Sequence, residues 1–158
     1  MKKLTVLFIS GIALMMAFSL PVIAYDQLLA QSYEHYFAPF KGKATGKAMQ
    51  QMPVAAFVKA VRSGAAVEVI DIRTPAESAL IGFTIPGTMI LPMDQIFKPE
   101  NLARISRDKK VVVSCKAGHR GMAVTTALRH LGFNNVYNLK GGTMALMKHL
   151  NPKTAYVE

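Results

Sequence analysis

The stretch VVVSCKAGHRGMAV, residues 111–124, holds the only cysteine of the chain, Cys115, between an apolar run and a helical pattern. Lys116, Ala117, Gly118, His119, Arg120 and Gly121 follow it directly. A thiolate is a nucleophile in its own right, and helix amino termini flanked by cations favour it over the thiol. Gly118 can take backbone angles closed to other residues, so successive amides of Lys116 to Gly121 can turn toward the sulfur. The helix after the loop directs its positive end at the same place. The pattern offers nucleophilic attack by Cys115, with Lys116 and Arg120 available to hold an anion and Arg120 able to do so with a planar fork. His119 is either a loop histidine facing solvent or a member of the site. The plain alternative is a strand-end cysteine buried in a core.

Such a loop needs a strand to end it on and a helix to receive it. Four segments read as strands: VEVIDI at 67–72, TMILP at 88–92, KKVVVSC at 109–115 and NNVYNL at 134–139. Between and before them lie helical patterns. In QMPVAAFVKAVRSG, Pro53 suits a first turn, Val54, Phe57, Val58 and Val61 share a face, and Gly64 stops the helix. FKPENLARISRD at 97–108 and GMAVTTALRHLG at 121–132 follow, the second with Ala123, Val124, Ala127, Leu128 and Leu131 on one side. Near-continuous apolar strands alternating with helices predict an α/β fold, a small parallel β-sheet with helices on both faces. In such a sheet ligands bind beyond the carboxyl ends of the strands, which is where Cys115 falls.

Length and charge bound the rest. With 158 residues, 51% hydrophobic and 18% charged, the chain has room for one domain with a proper core. Its net charge of +10 favours anionic partners, among them small oxyanions, nucleic acid and acidic membrane surfaces. A nucleic-acid role has no basic-aromatic motif behind it, so none is expected. At the amino terminus Lys2 and Lys3 precede the apolar stretch Leu4 to Leu20, and Val22 to Ala24 has the small-residue spacing of a processing site. Residues 1–24 therefore read as a secretory signal peptide, with an uncleaved membrane anchor as the alternative. The expected organisation is then an extension or linker at 25–47, a domain at 48–152 and a tail at 153–158. The expected location is periplasmic or otherwise exported. Membrane contact is expected only if the segment is retained. Exported proteins commonly pair their cysteines, and Cys115 has no partner in its own chain, so a disulfide within the monomer is excluded.

The loop CKAGHRG resembles the active-site loop of rhodanese domains, Cys-x-x-Gly-x-Arg, at Cys115, Gly118 and Arg120. VIDIRTPAE resembles the family's Asp-x-Arg segment with its following glutamate, here Asp71, Arg73 and Glu77. IPGTMILP resembles its Ile-Pro-Gly-Ala turn, and LGFNNVYNLKGG its closing strand with paired glycines. The similarity runs from Met52 to Pro152 in the family's order. The family's histidine before Ile-Pro-Gly is Thr84 here, and its tryptophan after the paired glycines corresponds to Leu146. Both are expected to be packing or supporting positions. The resemblance implies a rhodanese-like fold and a sulfurtransferase. Cys115 would take sulfane sulfur from thiosulfate or a persulfide donor and pass it to cyanide or a thiol, with a protein acceptor as a further partner. It implies no metal and no cofactor.

Asp71, Arg73 and Glu77 are expected to act as structural support, chiefly through an Arg73–Glu77 ion pair that fastens the loop after the strand, although Asp71 could also orient the cysteine loop. Two other classes stay open. A cysteine-dependent phosphatase or arsenate reductase would use similar thiolate chemistry, but related loops that embrace a tetrahedral oxyanion have five residues between cysteine and arginine. Here there are four, Lys116 to His119. A non-catalytic rhodanese-like sulfur carrier or binding module would be marked by loss of the cysteine, which is present.

Overall fold

The computed structural model describes residues 24–155. The expected signal segment lies outside these residues except for Ala24, as do residues 156–158 of the tail. Five parallel strands form one sheet in the order β1 (Gln51–Met52), β5 (Val136–Leu139), β4 (Lys110–Ser114), β2 (Val67–Asp71) and β3 (Met89–Ile90). The four expected strands are all present. β1 was not legible, because two residues carry no periodicity; it forms where Gln51 and Met52 pair with Asn138 and Leu139.

The central strands are apolar at consecutive positions because both their faces are covered. On one face Val69, Val112 and Leu139 pack with Met52, Phe57, Val58 and Leu146, contributed by β1, α3 (Val54–Arg62) and α7 (Gly142–His149). On the other, Ile70, Val111, Val113 and Val136 pack with Val124 and Leu128 of α6 (His119–His130). α6 differs from its expected face. Gly121, Val124, Thr125 and Leu128 are buried, whereas Ala123 and Leu131 are exposed. The helix starts two residues earlier than the apolar pattern, and the sheet takes the i, i+3, i+4, i+7 stripe that begins at Gly121. The helix expected over 97–108 is confined to α5 (Pro99–Leu102), followed by turns that insert Ile105 into the core.

The expected extension carries two helices, α1 (Gln27–Phe37) and α2 (Ala44–Ala48). Asp26 caps α1 by accepting from the Leu29 amide at 3.0 Å, and Tyr33 and Tyr36 lie against the ring of His130. None of the residues of α1 is buried, so this segment leans on the outside of α6 and adds nothing to the core. Among the described residues no helix is long and apolar enough to cross a membrane.

Strand register sets the site. β2 and β4 run in step from Val67 beside Lys110 to Asp71 beside Ser114, so the segments that follow, Ile72–Arg73 and Cys115–Lys116, leave the sheet side by side.

Candidate active site

Cys115 directly follows β4 at the carboxyl edge of the sheet and is buried, with 1% of its surface exposed. The chain then turns through Lys116 and Ala117, both exposed, to Gly118, whose φ of +89° lies in the left-handed region. That angle lets Gly118 cap α6, and it turns two amides onto the sulfur: Gly118 N–H donates to Sγ at 3.1 Å and Gly121 N–H at 3.3 Å. The broader expectation, of amides converging from the whole of Lys116 to Gly121, narrows to these two. No acidic or imidazole group hydrogen-bonds to Sγ among the described residues.

The back of the loop is held by α7. The amide and the hydroxyl of Thr143 both donate to the Cys115 carbonyl, each at 2.8 Å, and the Met144 amide donates to the Lys116 carbonyl at 3.0 Å. The first turn of a helix has free amides, and here two of them fix the cysteine loop. Sequence reasoning did not single out Thr143 or Asn138. Thr143 was signalled by a hydroxyl residue directly after the paired glycines. Asn138, buried on β5, was signalled by a polar residue inside an apolar strand. Its Oδ1 lies 2.2 Å from where a Cβ on Gly121 would sit, so residue 121 can bring its amide to the sulfur only without a side chain.

The charged residues pair differently from the expectation. Arg73 does not pair with the carboxylate of Glu77. It wraps back onto Asp71, with Nη2 2.6 Å from Oδ2 and Nε 2.9 Å from Oδ1, and donates to the main-chain carbonyls of Glu77 and Ile81. Ser78 Oγ donates to Asp71 Oδ2 at 2.8 Å. Asp71 and Arg73 are both buried, and an unpaired charge there is costly, so the nearest opposite charge on the same turn wins. Glu77 is thereby left for Arg120, which reaches it with two bonds of 3.0 and 2.7 Å. The expected open fork of Arg120 is thus occupied on its Glu77 side. Its charge also faces Cys115, and its pKa is raised first by the Glu77 carboxylate and in smaller part by the cysteine. Lys116 remains an exposed cation at the rim. His119 is exposed and lines a cavity of about 310 Å³ with Ala117, Gly118, Met122, Asn138 and Gly141.

Glu77 belongs to α4 (Pro75–Leu80), whose capping box it closes: the Thr74 hydroxyl accepts from the Glu77 amide and the Thr74 amide donates to the Glu77 carboxylate. One carboxylate therefore ties the loop after β2 to the cysteine loop after β4. The Arg120 guanidinium, and after it the Thr74 amide, hold the Glu77 pKa down from 4.5 to about 2. A depressed carboxylate stabilises the fold above its ordinary pKa, and that stabilisation fades as pH falls toward the folded value. Glu77→Gln should therefore unfold at lower denaturant than the wild type near neutrality, with the gap narrowing from pH 4.5 and closing near pH 2. Denaturant midpoints measured across that range check this, and a gap that stays constant would show that the tie is not electrostatic.

Leu146 is buried against Phe57 and Val112, so it is the packing position expected in place of tryptophan. Thr84 is exposed, at the edge of a cavity lined by Phe57, Phe83 and Leu146.

The chain is 38% identical over 89 residues to a sulfurtransferase of Allochromatium vinosum, covering 56% of this chain and 79% of that one. It is 32% identical over 90 residues to the probable adenylyltransferase/sulfurtransferase MoeZ of Mycobacterium tuberculosis, covering 57% of this chain but only 22% of that longer protein. The solved rhodanese-like domain protein of Staphylococcus aureus superposes with a TM-score of 0.54 at 26% identity, over 61% of this chain and 90% of that one. The rhodanese-like domain model matches residues 54–149, the interval that holds four of the five strands, the Asp71–Arg73 pair and the Cys115 loop, and on that match the chain belongs to the rhodanese-like domain family.

Proposed function

We propose that the protein is a sulfurtransferase in which Cys115 carries sulfane sulfur as a persulfide. The observation that carries this reading is the sulfur's cradle: a buried Sγ that accepts two main-chain N–H bonds. Attack on a sulfur donor needs a thiolate and leaves an anionic persulfide. Fixed amides stabilise both forms without moving, and neither form needs a general base. Cys115 thiolate attacks the outer sulfur of thiosulfate, the donor's S–S bond breaks, and sulfite departs with the electron pair. Cyanide or a thiolate then attacks the outer sulfur of the persulfide and returns Sγ as thiolate. No electrons are gained or lost overall.

Lys116, at the rim, and the charge of Arg120 attract the anionic donor, while Gly118, Gly121 and the neighbouring small Ala117 leave room for the sulfur. His119 stands at the mouth. Asp71, Arg73 and Glu77 support the loop. The leading segment 1–24 supports an exported, periplasmic location, with retention in the inner membrane as the alternative.

Intact mass tests the reading. Thiosulfate should add one sulfur atom to the protein, and cyanide should remove it with release of thiocyanate. Hydrolysis of aryl phosphates without any sulfur uptake would sink the proposal in favour of a phosphatase.

A further inference from the structure

Two cavities meet beside α3 and α7, and neither is lined by a residue of the cysteine loop. One, of about 260 Å³, is walled by Phe57, Phe83, Leu146 and Leu150, and among the described residues its polar side chains are Thr84 and Arg62. The other, of about 530 Å³, carries Lys59 and Arg62, the imidazole of His149 and the hydroxyls of Ser63 and Thr154. Val58 and Arg62 line both, so the apolar recess opens directly onto the cationic one. Thr84 and Leu146 are also the two positions at which the chain departs from the family's motifs. Each is smaller than the histidine or tryptophan that stands there in the family, and both changes fall on the wall of the apolar recess.

The cations have no counter-ion of their own. Among the described residues no carboxylate lines either cavity, and both salt bridges leave Lys59 and Arg62 out. Arg62 Nη2 donates to the Thr154 carbonyl at 2.9 Å, a bond that steadies the guanidinium where the cavities join and uses one arm of its fork. Lys59, Arg62 and His149 stand in the last turns of α3 and α7, where the helix dipole favours cations, and a recess by itself is a packing gap. Neither fact accounts for an apolar recess and a cationic one sharing a wall. Ligand sites combine those two features, since an apolar wall supplies affinity and a few charged groups fix orientation. We infer that the two cavities form one site for an amphiphilic organic anion, with an alkyl tail among Phe57, Phe83 and Leu146 and a carboxylate head on Arg62 and Lys59. The site is independent of the sulfur-transfer reading, because no residue that lines it touches Cys115 chemistry.

Calorimetric titration of the protein with decanoate, decanol and acetate tests the site. Decanoate should bind as a single molecule, decanol about tenfold more weakly for want of a charge, and acetate about a hundredfold more weakly for want of a tail. Arg62→Gln should weaken decanoate by about tenfold. Leu146→Trp and Thr84→His, which return large side chains to the recess, should each weaken it by about tenfold as well. Thr84 is exposed, so its variant folds even if tryptophan at 146 overpacks the core. Cys115→Ser should bind decanoate as the wild type does. Equal binding of decanoate and decanol, or folded recess variants that bind decanoate unchanged, would overturn the site. Decanoate binding that appears only after residues 156–158 are removed would overturn it too, by making the chain's own terminus the occupant.

Discussion

Cys115→Ser is expected to abolish sulfur loading, leaving uptake from thiosulfate at the level of unreacted protein, while the fold remains. A serine hydroxyl presents almost no anion near neutrality, and the two amides at 3.1 and 3.3 Å can accommodate a hydroxyl oxygen but cannot activate it without a base. The substitution is nearly isosteric, and the two main-chain donors to Sγ can serve a hydroxyl oxygen, so circular dichroism and the unfolding midpoint should stay close to wild type. Intact mass after thiosulfate reads the loss directly. Residual loading in the serine protein would place the reactive group elsewhere, and since Cys115 is the only cysteine, the proposed chemistry would fall.

The second large effect is expected at Gly142, where Gly142→Ala should destabilise the protein by more than about 4 kcal/mol and leave little of it folded. Its φ is +60°, in the left-handed region, and a Cβ there would sit 2.2 Å from the Cys115 carbonyl oxygen and 2.8 Å from the carbonyl carbon and oxygen of Lys116. All three atoms are main chain, so no side chain can swing away. Relief requires α7 to move off the cysteine loop, which breaks the two bonds from Thr143 that hold the Cys115 carbonyl. Chemical denaturation of the variant measures the loss. A modest change with sulfur loading intact would show that the contact between α7 and the loop is looser than these distances require. Gly118 and Gly141 approach each other in the same corner, Gly118 with a would-be Cβ 2.9 Å from the Gly141 amide nitrogen. The paired glycines at 141–142 thus make the back wall of the site.

Much of this protein is determined by its sequence alone. The apolar runs at 67–72 and 109–115 can satisfy a run of buried side chains only in a strand covered on both faces, and that forces the parallel sheet. With the sheet comes the place of Cys115, because the loop after β4 must open at the carboxyl edge. Gly118 and the helical pattern after it carry the amide cradle, since loop and helix start are local and need no distant partner. The partners of the charges could not be read this way. Asp71, Arg73 and Glu77 lie within seven residues, where several pairings are equally close along the chain. Only burial of the Asp71–Arg73 pair, and the register that sets β2 beside β4, turns Arg73 inward and leaves Glu77 to an arginine 43 residues away. The two-residue β1, the sheet-facing stripe of α6 and the grip of Thr143 on the Cys115 carbonyl were decided in the same way. Each depends on which surface arrives opposite it, and that is a property of the packed fold rather than of any local pattern.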